Sequence, residues 1–472
     1  GEKEFFRLSP SDYEGLHRRY AAVLSDCQEL PVLAAPSDDL RKRLSSLFTG
    51  MMKSLFKEKG SQFRVELVAD PAVQEFVNAH ASALDSAFHK VEMSDAMRRR
   101  LTRSNYIFSG MKAFHELHEA FPSLLDENGN RKPFERFLND VQSIDKTYNS
   151  NYLRAEYNFV AASAEMAGRW EQFMRDGDRY NLQYRTQSDD KVRPEHAALD
   201  RVTLPPSDSF WEEFYPPNGW NCRCTVVQVR KSKCPATPHD EAMRLGDEAL
   251  QRDTKGIFRF NAGKEGKSVP DYNPYTIRRC STCPVAKGSK GRKLAFVPDN
   301  EVCRACVLVH QCEQLRGEVI KHGKGTIEIS HLVDRTDGDY ERLLSVARHF
   351  ATDGARVVLT PKMTRPAKFE YDCVYGSLRG TPYDGKCPDL KIDGFWYEHE
   401  GFITDNPMRA FRNMMSHGLK QSDRLIIDRP NLTERYMLRS ILGRIERGER
   451  IQEVWLRDKS GILTLLYKKT DG

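Results

Sequence analysis

The sequence predicts a multidomain protein with a mainly α-helical N-terminal region and a C-terminal α+β domain built on a small, mostly antiparallel sheet. Three observations lead to this prediction. Apolar residues recur at helical spacing up to about residue 180, a loop-rich segment full of prolines and aromatic residues follows, and short alternating runs separated by turns begin at residue 326. A chain of 472 residues is long enough for two to four domains.

Composition and charge limit the classes of protein that the chain can belong to. Hydrophobic residues make up 39% and charged residues 30%, which is ordinary for a globular protein. There is no run of eighteen apolar residues, so no membrane-spanning helix and no membrane partner are expected. The first residues lack the apolar core of a secretory signal. The net charge is only +6, but basic residues exceed acidic ones locally, in residues 273–325 and 401–472. Such an excess suits nucleic acid, although a solvated basic face also explains it.

Residues 1–180 are predicted to form the helical region. Pro10 follows Ser9 and Pro71 follows Asp70, and each pair is typical of an N-cap residue with proline in the first turn. Pro133 opens a further helix, and a last helix is expected from about residue 152 to 175.

A loop-rich module is predicted over residues 181–235. Two Pro-Pro pairs exclude a long helix or a central strand there. His196, Cys222 and Cys224 supply three soft or borderline ligands for a metal ion, with Cys234 as a possible fourth. The same spacing is also explained by packing around Trp220, so this is the weaker of two metal-site hypotheses.

The ordered residues of this module resemble a known family. Arg193-x-x-His196, Leu204-Pro205-Pro206, Phe210-Trp211 and the run 216–224, PPNGWNCRC, resemble the signature of the phage Mu F-like minor head proteins, the phage head morphogenesis family. The resemblance implies a component of the virion head, made in the cytoplasm of a bacterial host, with the portal and other head proteins as partners. It implies no reaction.

Cysteine spacing predicts a second and stronger metal site. Residues 236–275 are expected to be a linker, and residues 276–325 a Cys-rich zinc knuckle. The eleven cysteines are odd in number and occur in CxC and CxxC pairs, which favours reduced thiols and metal over disulfides. Two CxxC pairs nineteen residues apart fit a structural zinc ion held by four thiolates, with Cys312 and His310 as spare ligands and buried free thiols as the alternative: Cys280, Cys283, Cys303 and Cys306.

The α+β domain, residues 326–472, gathers acidic and basic groups. Asp389 precedes a short strand, and Glu398 and Glu400 lie two residues apart on the next, so both point to one face. His417, Lys420 and Gln421 are predicted on one helix. A carboxylate, an imidazole and an ammonium on one sheet face have the chemistry for RNA cleavage without a catalytic metal. A solvated face with salt bridges is the alternative.

The same residues resemble the barnase/EndoU/colicin/RelE-like nucleases, in the branch found fused to phage structural proteins. Pro388-Asp389, Glu398, Lys420 and Gln421 match that pattern, whereas Glu400 stands where lysine is usual. The resemblance implies a metal-independent RNase. Its cation would then come from Lys420 or from a nearby arginine among Arg409, Arg412 and Arg424.

Other functions remain open for the C-terminal domain. Asp389 with Glu398-x-Glu400 also resembles the PD-(D/E)xK nucleases, which use Mg²⁺ to cut DNA. A module that only binds nucleic acid or a head partner would use the basic residues Arg412, Arg424, Arg435 and Arg439. For the whole chain, the alternatives are a purely structural head protein and a polymorphic toxin paired with an immunity protein.

Overall fold

A computed structural model describes residues 13, 37–277, 283, 301–363, 368–402 and 404–469. The predicted N-terminal helix at Ser9-Pro10 lies outside the described residues, apart from the single position Tyr13. The chain divides into two compact units, residues 1–310 and residues 311–472. In the described parts, no helix is both long enough and apolar enough to cross a membrane.

The first unit is mainly helical, as predicted. Ser37, Asp70 and Ser94 each accept a hydrogen bond from a backbone N–H of the helix that follows, and Pro71 occupies the first turn of its helix. The long helices are α1 Asp38–Phe56, α2 Pro71–Ser86, α3 Asp95–Ala120 and α6 Leu153–Asp176, and the short helices α4 Phe134–Asp140 and α5 Gln142–Lys146 precede α6.

A fully buried ion pair lies at the centre of this helical bundle. Lys112 of α3 donates to Glu156 Oε2 of α6 at 2.7 Å and to the carbonyl of Tyr148 at 2.8 Å. His80 of α2 lies 3.3 Å from the same carboxylate oxygen, and the Tyr275 hydroxyl donates to the other oxygen at 2.5 Å. Burial tends to raise the pKa of Glu156, but Lys112 and His80 outweigh it and hold the pKa at about 2.

The loop-rich module packs on the last helix of the bundle. Its sheet has three antiparallel strands in the order β2-β1-β3: β1 Asn181–Arg185, β2 Thr203–Leu204 and β3 Thr225–Val229. Trp170 of α6 meets Tyr215 edge to face with ring centroids 5.0 Å apart, and the Tyr215 hydroxyl donates to the Met166 carbonyl at 2.9 Å. Two short helices belong to the module, α7 Pro194–Ala197 and α8 Phe210–Glu213.

The structure differs from the expected linker over residues 236–275. Helix α9 His239–Ala249 buries Ala242 and Ala249 in the same core as Trp211, and the Asn261 side-chain amide donates to the Trp211 carbonyl at 2.9 Å. Helix α10 Ala262–Glu265 follows, and α11 Glu301–Leu315 lies further along the chain. The apolar residues here are sparse, so the sequence pattern gave little sign of this packing.

The second unit contains an eight-stranded sheet, larger than the small sheet predicted. Its strands lie in the order β11-β10-β9-β8-β7-β6-β5-β4. Three neighbouring pairs are parallel (β5–β6, β8–β9 and β9–β10) and four are antiparallel, so the sheet is mixed. The strands are β4 Gly317–His322, β5 Gly325–Ser330, β6 Arg356–Leu359, β7 Leu390–Ile392, β8 Phe395–Glu400, β9 Arg424–Asp428, β10 Glu453–Arg457 and β11 Leu463–Lys468.

Helices cover both faces of this sheet. One core joins α12 Tyr340–Thr352 to side chains such as Leu390, Tyr397 and Ile426. The other core joins α14 Pro407–Gly418 and α15 Glu434–Glu446 to the opposite face. The short helix α13 Lys368–Tyr375 precedes β7. Neighbouring residues of β9 and β10 therefore enter different cores, as the period of two requires.

The buried ion pair predicts a large stability effect. Replacing Lys112 by methionine leaves the Glu156 carboxylate buried without its cation, so we expect the free energy of unfolding to fall by about 3–5 kcal/mol. The double variant Lys112→Met/Glu156→Leu removes both charges and should regain most of that loss. Urea denaturation of the full chain measures both. A double variant less stable than the single one would contradict this assignment.

Candidate functional site

The loop-rich module brings His196, Cys222 and Cys224 together, as the weaker metal-site hypothesis predicted. Pro194 begins α7 and places His196 in its single turn, while Cys222 and Cys224 immediately precede β3. Cys222 Sγ lies 3.8 Å and Cys224 Sγ 3.9 Å from His196 Nδ1. All three side chains are buried. We call these three residues the His–Cys cluster. In the part of the chain that the structure describes, it is the one group of three or more His, Cys, Asp or Glu side chains whose donor atoms lie within 4.8 Å of each other.

Polar contacts hold the two loops of the His–Cys cluster in place. Arg223 and Asp189 form a two-point ion pair with both N···O distances at 2.7 Å. The Arg193 guanidinium donates to the Trp220 carbonyl at 2.8 Å. A Cβ at Gly219 would lie 2.6 Å from Arg193 Nη1, so a larger residue there would make the guanidinium shift. A cavity of about 310 Å³ opens beside the cluster.

The predicted zinc knuckle is described only in part. Cys280 lies outside the described residues, and Cys283 is a single described position between undescribed ones. Cys303 and Cys306 lie on α11, one turn apart. The spare candidate Cys312, on the same helix, lies with its Sγ 3.4 Å from that of Cys373. The four-thiolate site therefore stays a prediction.

In the second unit, three acidic side chains meet where strands end. Asp389 comes directly before β7, while Glu398 and Glu400 are paired in register with Leu425 and Ile427 of β9. The Asp389 backbone N–H donates to Glu398 Oε2 at 3.2 Å, and the His399 N–H donates to Asp389 Oδ2 at 3.2 Å. These contacts hold the carboxylate cluster, Asp389 with Glu398 and Glu400, at one edge of the sheet.

Burial raises the pKa of each carboxyl group in this cluster, and neighbouring carboxylates add to the rise at Glu398 and Glu400. Burial, followed by the charges of Asp389 and Glu400, raises the pKa of Glu398 to about 10. Burial and Asp389 raise the pKa of Glu400 to about 7. Burial also raises the pKa of Asp389, although Lys362 and His399 oppose this. Three acidic groups with raised pKa values at one place are typical of a functional site, and less often of a structural ion-pair network.

Charged groups from neighbouring strand ends surround the carboxylate cluster. Lys362, which follows β6, lies with its Nζ 3.5 Å from Asp337 Oδ2. Burial tends to lower the pKa of Lys362, but the charges of Asp389 and Asp337 outweigh it and raise that pKa. His399 Nε2 lies 3.4 Å from Asp428 Oδ1 at the end of β9, and Arg457 at the end of β10 lies 3.3 Å from the same oxygen. The ends of β6, β8, β9 and β10 meet at this edge because these strands share one direction.

The other predicted residues of this site lie at and just beyond the end of one helix. Helix α14 ends at Gly418, so His417 is in its last turn while Lys420 and Gln421 follow it. Lys420 lines a separate cavity of about 600 Å³ together with Lys386, Arg444 and Arg450. Gln421 Oε1 is buried and has no hydrogen-bond partner among the described residues.

The predicted nucleic-acid-binding arginines lie on two helices and one strand. The side chains of Arg412 on α14 and of Arg435 and Arg439 on α15 are exposed. Arg424, at the start of β9, lies over the Phe395 ring at 4.4 Å and forms an ion pair with Asp423 at 2.9 Å. Three of the four are therefore accessible to a polyanion.

Sequence reasoning missed Lys362, His399 and Asp428. Each lies at or just beyond the carboxyl end of a strand: Lys362 after β6, His399 near the end of β8 and Asp428 as the last residue of β9. The sequence did contain a signal for these residues, since polar residues that follow buried parallel strands lie at one edge of the sheet. Predicting a mostly antiparallel sheet meant that this pattern was not used.

Comparison with known proteins assigns a class to the first of these two regions. Residues 126–227 match the family model described as Phage Mu protein F like protein. The match runs from the segment before α4 into β3 and contains the whole His–Cys cluster. Residues 126–227 are therefore a Phage Mu F-like domain.

Two curated relatives agree with this assignment. The chain is 32% identical over 164 residues to the putative capsid assembly protein F of Escherichia phage Mu, which covers 34% of this chain and 35% of that protein. It is 27% identical over 147 residues to the Mu-like prophage FluMu F protein of Haemophilus influenzae, covering 29% of this chain and 32% of that protein. The chain thus spans about a third of the length of the curated relatives it matches. No solved structure matches it.

The raised pKa values predict how stability depends on pH. Glu398 and Glu400 hold protons up to pKa values of about 10 and about 7, whereas an unfolded glutamate loses its proton near pH ~4.3. The folded state therefore binds more protons in this window, and the free energy of unfolding declines as pH rises from about 5 to about 9. Glu398→Gln cannot lose a proton and should flatten the decline, whereas Glu446→Gln, on an exposed face of α15, should not. Chemical denaturation across pH tests this, and equal slopes in native and Glu398→Gln chains would contradict it.

Proposed function

We propose that this chain is a phage head morphogenesis protein located in the virion head. The observation that carries the proposal is the match of residues 126–227 to the Phage Mu F-like family, together with the likeness to a protein described as a putative capsid assembly protein. The motif residues behind the match are structural in this chain: Trp211 and Tyr215 form its core, and Arg193 joins two loops.

The partners of such a protein are phage head proteins, including the portal. The Phage Mu F-like domain overlaps the bundle at α6, which carries Glu156 of the buried ion pair and also Met166 and Trp170 of the module core. The bundle and the module thus share one helix and form one body. We infer that this body, residues 1–310, docks in the head.

A test of head location uses the phage or prophage that encodes the chain. Its gene is replaced by versions encoding residues 1–310 or residues 311–472, and DNA-filled heads are purified by density centrifugation. We expect the 1–310 product to copurify with heads and the 311–472 product to be lost, because the Phage Mu F-like domain lies in the first unit. Copurification of 311–472 alone would place the head-binding surface elsewhere, and absence of both products would contradict the proposal.

A second activity is proposed for residues 311–472, namely nuclease activity that depends on a divalent metal ion. The supporting observation is the run α12-β6-α13-β7-β8-α14-β9, in which β6, β7 and β8 are antiparallel neighbours and β9 is parallel to β8. Asp389 directly precedes β7 and Glu398 lies on β8, which agrees with the resemblance to the PD-(D/E)xK nucleases. DNA is then the favoured substrate.

Two residues of the carboxylate cluster are candidate ligands for a divalent cation, since protein Mg²⁺ sites use one or two carboxylates. A bound cation would favour the ionised carboxylates, which burial and, at Glu398 and Glu400, neighbouring charges disfavour. Asp389 and Glu398 would hold the ion, which supplies charge stabilisation and a more acidic bound water when present. Glu400, with a pKa of about 7, can exchange a proton near neutrality, and Lys362 offers a cation to a phosphate.

The metal-free RNase hypothesis has less support in this geometry. It requires the imidazole of His417 and the ammonium of Lys420 beside the carboxylates. The charges that act on Glu398 are instead those of Asp389, Glu400 and Lys362. Lys420 lines the separate cavity described above.

Cleavage assays on the purified full chain separate these functions. Supercoiled DNA and total RNA are incubated with Mg²⁺ or Mn²⁺ and, in parallel, with EDTA. We expect metal-dependent DNA cleavage that falls by about 100-fold or more in Asp389→Asn and Glu398→Gln, because a bound metal contributes several kcal/mol to stabilising the transition state.

Matched variants identify the alternatives. Glu446→Gln removes an exposed carboxylate outside the cluster and should leave cleavage unchanged, as should His417→Ala. EDTA-resistant RNA cleavage that is lost in His417→Ala would establish the metal-free RNase instead. Absence of cleavage in a folded chain would leave a structural head protein with a nucleic-acid-binding module, and growth arrest relieved by a neighbouring gene would indicate a toxin with its immunity protein.

A further inference from the structure

The His–Cys cluster of the Phage Mu F-like domain has no role in either proposal above. We propose that His196, Cys222 and Cys224 bind a zinc ion, and that water from the adjacent cavity completes its coordination. This inference depends on neither head location nor nuclease activity.

The three side chains have the chemistry of a zinc site. Two thiols and an imidazole are the ligands that zinc prefers in proteins, whereas buried polar groups without good partners destabilise a fold. A tetrahedral ion with Zn–S of about 2.3 Å and Zn–N of about 2.0–2.1 Å sets sulfur and nitrogen about 3.6 Å apart. The two S···N distances of 3.8 and 3.9 Å are close to that separation.

The donor atoms are held before any ion binds. The ion pair between Arg223 and Asp189 joins the loop before α7 to the loop before β3, and Arg193 repeats that connection through the Trp220 carbonyl. Asn221, between Trp220 and Cys222, has a left-handed φ of 54°, and its side chain accepts from Asn158 of α6 at 2.9 Å. The ligands are thus fixed relative to α6, and little ordering is needed on binding.

The ion would connect two segments that share little secondary structure. His196 lies in a four-residue helix, and the cysteines lie in the turn before β3, in a module whose sheet has three short strands. A metal bond between segments 194–197 and 222–224 stabilises such a loop-rich region in the way that a larger core would.

The fourth ligand position faces the cavity. The His–Cys cluster contains three ligands, and among the described residues no fourth histidine, cysteine or acidic side chain joins it within 4.8 Å. The cavity of about 310 Å³ is lined by the cluster and by Lys191, Arg193, Arg223 and Arg252. Three protein ligands and a water are typical of a zinc ion with an exchangeable position.

Metal analysis of the full chain tests the site. Zinc per chain is measured after purification under reducing conditions, for the native chain and single variants. We expect Cys222→Ser and Cys224→Ser each to contain one equivalent of zinc less than the native chain. Cys234 is a thiol of the same module outside the cluster, so Cys234→Ser should keep the native zinc content. This difference holds whether or not the predicted Cys280–Cys306 site also carries zinc.

Cobalt substitution tests the same site without relying on the single variants. In a full chain with Cys280, Cys283, Cys303 and Cys306 changed to serine, one equivalent of Co²⁺ should give tetrahedral d–d bands and thiolate charge-transfer absorption. Azide should shift these bands, because the fourth ligand is exchangeable. Where the quadruple variant does not fold, the same azide shift is sought in the cobalt-loaded native chain.

Three outcomes would overturn the proposal. Unchanged zinc content in folded Cys222→Ser and Cys224→Ser chains would show that the cluster is a packing contact. A Cys222–Cys224 disulfide that persists under the reducing purification would exclude thiolate ligation. Cobalt bands that azide leaves unchanged would mean a closed shell, and the open position would be wrong.

Discussion

The buried contact between Lys112 and Glu156 is the constraint on which the first unit depends. Two charges without water are tolerated only when their hydrogen bonds are satisfied, and here the ammonium reaches a carboxylate and a carbonyl while the carboxylate accepts from Tyr275 as well. Those partners come from α3, the segment between α5 and α6, α6 itself and the segment after α10. The requirement to satisfy both charges therefore fixes α6, and α6 in turn provides the wall against which the Phage Mu F-like module folds.

A different constraint acts in the second unit, where strand direction determines which side chains meet. The strands β8, β9 and β10 are parallel neighbours, so their carboxyl ends lie at one edge of the sheet. Glu400, Asp428 and Arg457 lie at that edge. The basic groups at this edge pair mainly with Asp428. The repulsion between Asp389 and Glu398 is therefore not offset by an ion pair with Arg457. The raised pKa values keep Glu398 and, in part, Glu400 protonated near neutral pH, and a bound cation would favour their ionised forms.

Much of the local structure could be predicted from sequence, because local rules govern it. The helix start at Asp70 and Pro71, the shared face of Glu398 and Glu400 and the convergence of His196 with the two cysteines all agree with expectation. The failures involve partners distant in sequence. Parallel strands are not joined by a short turn that a sequence pattern could reveal. The packing of residues 236–275 depends on a core formed by other segments, and the position of Lys362 at the site follows only from the strand order.

The two edge strands of the large sheet affect how readily copies of the protein associate at high concentration. β4 and β11 form its two edges, and an open edge can pair with the edge of another molecule. Glu318 on β4 is paired with Arg335, and Lys468 on β11 with Glu453, so charged groups line both edges. Stacking one copy on another through these strands would disturb those ion pairs and place charges side by side. Both edge strands also expose apolar side chains, Val319 and Ile320 on β4 and Leu465 on β11, so these ion pairs are what opposes association edge to edge.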